Sequence, residues 1–289
     1  MLNPSPGGAD RTGARRAGVV GRPVGHSLSP RLHRAAFAVL GLDGWTFEAT
    51  DVPAGGLADH VAGLGPEWVG LAVTMPLKRE ALELPGAVEV GQDARLAGGA
   101  NTLLRRGSRW AVDNTDVAGL GAAMAGAGVR APRRATVLGA GATARSALVA
   151  LARAGAGEVV LAVRDRVRAE TMVLVDELGL SAEVLRLGQE RLVLDPAAGE
   201  VVVSTLPAGA DVSGVLVPDV ASAPVVLDVA YAPWPSGFAA AVDRASGGRL
   251  AVVRGTEMLL HQAVRQVELM TGHDGPVEAM RAALAGEAG

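Results

Sequence analysis

Residues 135–146 read Ala-Thr-Val-Leu-Gly-Ala-Gly-Ala-Thr-Ala-Arg-Ser, an apolar run that ends on two closely spaced glycines and passes directly into a helix-forming segment. A buried strand that turns this sharply into a helix belongs to an α/β architecture built on a parallel sheet. Gly139 permits the turn, and Gly141 lets the backbone approach a pyrophosphate. Ala144 stands where a third small residue allows close helix packing. The N–H groups around Ala140, Ala142 and Thr143 then face an anion at a helix start, where the helix dipole also favours negative charge. A tight turn without a ligand is the alternative, and the strand–turn–helix context favours the dinucleotide.

The rest of the chain repeats this alternation. Ala17–Gly21 reads as a short buried strand. Ser29 and Pro30 open a helix, with Ser29 as its cap and Pro30 in the first turn. Trp45–Val52 alternates like a half-buried strand, Leu57, Val61 and Leu64 recur at helical spacing, and Trp68–Val73 is a further strand. Asn101–Leu104 and Arg109–Val112 flank a turn at Gly107 and read as a hairpin. A helix over 117–127 leads to strands at 135–138, 159–163, 201–204, 225–229 and 250–253. A helical run over 257–270 follows the last strand. The expected organisation is a tail over 1–16 and an α/β substrate domain over 17–116, completed by residues 255–289. Between them lies a Rossmann-type, doubly wound dinucleotide domain over 117–254.

Cofactor choice turns on the end of the second strand of that unit, Val163, which is followed by Arg164-Asp165-Arg166-Val167-Arg168. An acid here bonds the ribose hydroxyl of NAD, whereas arginine accommodates the additional phosphate of NADP. A guanidinium offers two parallel donors and keeps its charge, so Arg164 and Arg168 favour NADP. Asp165 leaves NAD as the alternative.

Two further segments carry chemistry. His26-Ser27-Leu28-Ser29-Pro30 sets two hydroxyls two residues apart, on one side of the chain if it is extended, where they would hold a small carboxylate. Thr74-Met75-Pro76-Leu77-Lys78 follows a buried strand directly, at the strand end where open α/β sheets build their sites. An ammonium there can donate to an oxygen that develops negative charge. Asn101-Thr102 and Asp113-Asn114-Thr115-Asp116 add neutral donors and a carboxylate.

Composition narrows the classes further. The net charge of -3 gives no electrostatic footprint for nucleic acid or an anionic membrane. Without cysteine there is no thiolate metal site, disulfide or cysteine nucleophile, which suits a cytoplasmic protein. No run of apolar residues reaches the length of a membrane span. No ligand-spaced His, Asp or Glu cluster occurs, and no metal is expected.

In order, the segments Gly21-x-Pro-x-x-His-Ser-x-Ser-Pro30, Val73-Thr-Met-Pro-x-Lys78, Gly99-Ala-Asn-Thr102, Asn114-Thr-Asp116, the Gly139 loop, Asp228-Val-Ala-Tyr231-x-Pro233 and Gly255-x-x-Met-Leu-x-His-Gln262-Ala263 resemble the shikimate dehydrogenase family. The resemblance covers residues 21–272. It implies NADPH-dependent, reversible reduction of 3-dehydroshikimate to shikimate on the route to chorismate and the aromatic amino acids, by a monomer or homodimer acting on a small molecule. It also implies that Lys78 and Asp116 form the catalytic pair and that Ser27 and Ser29 bind the carboxylate. Thr74, Asn101, Thr115 and Gln262 would bond the ring hydroxyls or help fix the carboxylate, and Tyr231 would line the carboxylate end. Ser204, Thr205, Gly255 and Met258 would complete the cofactor contacts.

Three positions depart from the family pattern. Ala72 replaces a frequent asparagine, Val163 precedes Arg164 where the family has asparagine, and Ser204-Thr205-Leu206 stands for Asn-x-Thr. The competing readings are a quinate/shikimate paralogue acting on a related ring acid or using NAD, a methylenetetrahydrofolate-type dehydrogenase, and a non-catalytic dinucleotide sensor. The paired serines and the Gln262 segment argue against the second. Retention of both Lys78 and Asp116 argues against the third.

Overall fold

The computed structural model describes Leu2, residues 14–195, Ala197, residues 199–218 and residues 223–285. Contact density divides the chain into two units, one running to Gly119 and resuming at Leu259, the other spanning Leu120–Met258.

In chain order the first unit holds β1 (Arg15–Gly21), α1 (Ser29–Val39), β2 (Trp45–Asp51), α2 (Leu57–Ala62), β3 (Trp68–Val73), α3 (Lys78–Leu82), β4 (Ala87–Val90), α4 (Gln92–Ala97), β5 (Thr102–Arg106) and β6 (Arg109–Asp113), and then enters α5 (Asp116–Gly126). Its sheet runs β2-β1-β3-β5-β6-β4. Strands β2, β1 and β3 are parallel, and the β5–β6 hairpin is joined to them by the antiparallel pairing of β5 with β3. Gly107 turns that hairpin with φ +61, a conformation that favours glycine.

Because β5 runs against β3, the start of one strand meets the end of the other. Thr102 pairs with Ala72 near the C-terminal end of β3, and with Asp113 at the end of β6. The segments after β1, β3 and β6 and the one before β5 therefore emerge at a single sheet edge.

Most of the expected tail, residues 1 and 3–13, lies outside the described residues. The remainder corrects that expectation. β1 begins at Arg15, and Leu2 is buried, its N–H donating to Asp113 Oδ2 at 3.0 Å and its carbonyl accepting from Arg265 at 2.9 Å.

Helix α1 also differs in detail. Ser29 is its first residue and Leu28 its cap, with no side-chain capping bond. Instead the Ser27 hydroxyl accepts the Ser29 N–H at 3.3 Å. The 27–29 segment is thus curled, with Leu28 in right-handed backbone geometry, and the extended spacing assumed from sequence does not hold.

The second unit holds β7 (Arg134–Leu138), α6 (Ala142–Ala154), β8 (Glu158–Val163), α7 (Ala169–Glu177), β9 (Ser181–Arg186), β10 (Leu192–Val193), β11 (Val201–Ser204), β12 (Val215–Leu216), β13 (Val225–Asp228), α8 (Gly237–Ser246) and β14 (Val252–Arg254). Its main sheet is wholly parallel, in the order β14-β13-β11-β7-β8-β9. Read from β9, this is the 3-2-1-4-5-6 order of the doubly wound dinucleotide fold, with its switch point between β7 and β11. Its inner strands β7, β8, β11 and β13 are buried on both faces, which explains their apolar, Val- and Leu-rich character.

Helix α9 (Thr256–Thr271) and helix α10 (Val277–Ala285) close the chain. Leu260, Ala263, Val264 and Val267 of α9 and Met280 of α10 pack with Leu32 and Ala36 of α1. The C-terminal helices return to the first unit, as the sequence suggests.

Candidate active site

The sheet edge of the first unit gathers most of the residues singled out in the sequence. The Thr74 N–H donates to the Val20 carbonyl at 2.9 Å, and the Arg22 N–H to the Met75 carbonyl at 3.0 Å, so the loops after β1 and β3 run side by side. Gly21 is required at that seam, since a Cβ on it would lie 2.3 Å from Thr74 Cγ2.

Lys78 opens α3 and Asp116 opens α5. Lys78 Nζ donates to Asp116 Oδ2 at 2.5 Å, with side-chain exposures of 18% and 6%. An ion pair so far withdrawn from water is weakly screened, and its geometry is fixed by more than Coulomb attraction. The second oxygen, Oδ1, accepts from Asn101 Nδ2 at 2.8 Å. Asn114 holds the turn into α5, its Oδ1 accepting the Asp116 N–H at 3.0 Å and its Nδ2 donating to the Gly99 carbonyl at 2.8 Å.

Asn101 is the centre of the network. Its Nδ2 also reaches Thr115 Oγ1 at 3.0 Å and Gln262 Oε1 at 3.2 Å. Its Oδ1 accepts the Thr115 N–H at 2.7 Å and the Thr102 hydroxyl at 2.8 Å. Lys78, Asp116, Asn101, Thr115 and Gln262 therefore form one connected cluster. At the same edge Ser27 and Thr74 lie on the loops after β1 and β3, and Ser29 opens α1. The Ser29 N–H donates to the Ser27 hydroxyl, the Ser29 carbonyl accepts from His33, and the Thr74 N–H bonds back to β1. Tyr231 follows β13 in the second unit. Burial raises its phenol pKa, and its carbonyl accepts from Arg254 at 2.6 Å.

In the second unit Gly139 adopts φ +100, and a Cβ there would lie 2.6 Å from Thr205 Oγ1. The Thr205 hydroxyl is occupied, donating to the Leu138 carbonyl at 2.8 Å. Its role is to pin the end of β7 beneath the turn. Gly141 precedes α6, and a Cβ on it would meet no atom within 4 Å, which leaves open space above the helix N-terminus. Gly139, Ala140 and Gly141 share a pocket of about 330 Å³ with Arg164, Asp165, Arg166 and Arg168. Glycine turn, open helix start and three guanidinium groups match the pyrophosphate and added phosphate of NADP.

Asp165 is 90% exposed and lies 3.7 Å from Arg186, a surface pair screened by water. Thr143 and Ala144 fall in the first turn of α6, Ala144 fully buried. Ser204 ends β11, buried. Gly255 lies against the Val229 carbonyl, where a Cβ would be 2.0 Å away, and Met258 is buried in α9.

The family comparison bears on these positions. Residues 19–103 match the model described as the shikimate dehydrogenase substrate binding domain, and residues 255–285 match the shikimate 5'-dehydrogenase C-terminal domain. A shikimate dehydrogenase (NADP(+)) of Symbiobacterium thermophilum is 35% identical over 93% of this chain and 93% of its own. The chain belongs to the shikimate dehydrogenase family.

Two solved shikimate dehydrogenases extend the agreement to three dimensions. That of Mycobacterium tuberculosis is 40% identical, with a TM-score of 0.79 over 94% of this chain and 99% of its own. That of Thermus thermophilus, in complex with NADP(H) and shikimate, is 29% identical, with a TM-score of 0.78 over 94% and 98%.

The sequence marks Thr102 only as a neutral donor, Arg166 only as part of the arginine run, and Gln266 not at all. Thr102 and Gln266 join the Asn101 network, and Arg166 lines the cofactor pocket. The signal for Arg166 is its place in a triplet of alternating arginines. Gln266 stands four residues after Gln262, so both lie on one face of α9. Among the described residues no group of three His, Asp or Glu is placed to hold a metal, and no helix is long and apolar enough to cross a membrane.

Proposed function

We propose that this chain catalyses the NADP-dependent, reversible reduction of 3-dehydroshikimate to shikimate. The observation that carries the proposal is the pair of a partly buried Lys78 with a buried Asp116 at a sheet edge, surrounded by neutral groups suited to a polyhydroxylated ring.

When bound, the reduced nicotinamide supplies the hydride that reaches the C3 carbonyl carbon. Charge then builds on the C3 oxygen, and Lys78 donates the proton that neutralises it. Asp116 keeps the ammonium aimed at that point and accepts the neighbouring ring hydroxyl. In the oxidative direction the same pair withdraws the proton. Ser27 and Ser29 hold the carboxylate through hydroxyl donors, and Thr74, Asn101, Thr115 and Gln262 bond the ring hydroxyls. Distance from a fixed carboxylate thereby sets which ring carbon meets the proton donor.

The residues that would hold NADP are Gly139, Ala140, Gly141, Ala142, Thr143 and Ala144 at the pyrophosphate, with Arg164, Arg166 and Arg168 at the added phosphate. Ser204, Thr205, Gly255 and Met258 lie at the ends of β11 and β14 and at the start of α9. The three arginines that line the pocket with the glycine turn support NADP over NAD. Reduced-nicotinamide absorbance with shikimate or quinate, each with NADP⁺ or NAD⁺, tests the reading. Rapid reduction with shikimate and NADP⁺ alone supports it. Preference for quinate or NAD⁺ would reassign the chain to a paralogue.

A further inference from the structure

We infer that Gln266 and Thr102 are positioning residues that orient the Asn101 amide and, through it, the carboxylate of Asp116. The inference rests on the catalytic reading of Lys78 and Asp116. Gln266 is buried in α9, 1% exposed, and its Nε2 donates to the Asn101 carbonyl at 3.2 Å and to Thr102 Oγ1 at 3.0 Å. A carbonyl only accepts, so the Gln266 amide is oriented without ambiguity. Its Oε1 then meets no hydrogen-bond partner among the described residues. A buried amide with an unanswered oxygen is costly where a leucine would bury freely, and such an exception calls for an explanation in function.

The donor chain supplies one. Thr102 Oγ1 takes the Gln266 N–H, which leaves its own hydrogen for Asn101 Oδ1 at 2.8 Å. The Thr115 N–H meets the same oxygen at 2.7 Å. With Oδ1 held by two donors, Nδ2 must face Asp116 Oδ1 at 2.8 Å, which commits Oδ2 to Lys78 at 2.5 Å. A flipped amide would set oxygen against the carboxylate and release it from this alignment. Gln266 also grips the Asn101 backbone, so one side chain fixes both the position and the facing of the amide.

The test is steady-state turnover of shikimate with NADP⁺ by the full chain and by Gln266→Leu, Thr102→Val and Thr102→Ser. Thermal unfolding midpoints are recorded for each, and Gln266→Met replaces Gln266→Leu if that variant does not fold. Gln266→Leu and Thr102→Val should each lower kcat roughly tenfold to a hundredfold, with an unchanged KM for NADP⁺ and an unfolding midpoint at or above that of the parent. Thr102→Ser, which keeps the hydroxyl, should restore kcat to within about threefold of the parent. Combination of Gln266→Leu with Asn101→Ala should be no slower than Asn101→Ala alone, since the two act through one group. Full kcat in Gln266→Leu, or Thr102→Ser as slow as Thr102→Val, would overturn the inference. An inactive parent chain would instead refute the catalytic reading beneath it.

Discussion

The Lys78 ammonium lies 2.5 Å from Asp116 Oδ2 although 38 residues separate them in sequence. Each residue opens a helix, α3 or α5, that leaves the same sheet edge, so the pair is made by strand order and not by local folding. The second Asp116 oxygen is held by Asn101 at 2.8 Å. The carboxylate is therefore clamped from both sides before any substrate arrives, and orientation need not be acquired during the reaction.

Substitution of both Ser27 and Ser29 by alanine should raise the KM for shikimate by at least about tenfold and leave the KM for NADP⁺ unchanged, because a lost hydrogen bond to a charged group is worth about 1.5–3 kcal/mol. An unchanged KM for shikimate would reject the carboxylate role. Ser27→Ala alone also removes the acceptor for the Ser29 N–H, so a small loss of α1 stability, about 1 kcal/mol, is expected.

Arginine at the cofactor pocket should decide between the two dinucleotides. Arg164→Ala with Arg166→Ala should weaken NADP⁺ binding at least about tenfold and leave NAD⁺ binding almost unaltered, as read by titration calorimetry. Equal weakening of both cofactors would show that these guanidinium groups do not read the added phosphate.

Gly139→Ala should cost cofactor affinity for a different reason. The residue holds φ +100, and a Cβ would press on Thr205 Oγ1 at 2.6 Å. The turn must then shift, with about 1–3 kcal/mol of strain. Retention of full NADP⁺ affinity and an unaltered unfolding midpoint would contradict this account of the turn.

Acid should destabilise the first unit through His33. The ring is buried, stacked 3.9 Å from Phe47, and its Nδ1 donates to the Ser29 carbonyl at 2.8 Å. Burial pulls its pKa down from 6.5 to about 4, against the weaker opposing effect of the Ser29 bond. The folded chain thus holds this proton less tightly than the unfolded chain. Stability from the neutral ring is complete above pH 6.5 and is lost as pH falls from there to about 4. Between about pH 7 and 5 the loss is about 2 kcal/mol. Denaturant unfolding at both pH values, in the parent and in His33→Gln, measures it. The same pH slope in both proteins would contradict the assignment.

Much of this molecule is legible in its sequence because burial imposes pattern. Trp68–Val73 and the Val-rich strands β7, β8, β11 and β13 are covered on both faces and read as apolar runs. Strands β4 and β9 lie at sheet edges with exposed or half-exposed side chains, so Ala87–Val90 and Ser181–Arg186 carry no such signal. Lys78, Asn101 and Asp116 can be named from sequence because each adjoins a strand end. Gln266 cannot, and Thr102 is legible only as a neutral donor beside Asn101, since a glutamine on a helix looks ordinary and the part a strand threonine plays is unknown until the fold joins both to Asn101. The capping of α1 misleads because Ser29-Pro30 has the composition of a cap and first turn, whereas the helix begins at Ser29 itself.

The most direct test measures kcat for Lys78→Met and for Asp116→Asn beside the NADP⁺ dissociation constant of the same preparations. Loss of Lys78 leaves the buried Asp116 carboxylate without its cation, at up to about 3–5 kcal/mol, so unaltered cofactor binding is the needed proof of a folded protein. The predicted result is a fall in kcat of about 10²–10⁴-fold for Lys78→Met with NADP⁺ affinity intact. Asp116→Asn should be slowed less. Near-parental turnover by folded Lys78→Met would contradict the account, because the proton at the reacting oxygen would then come from elsewhere.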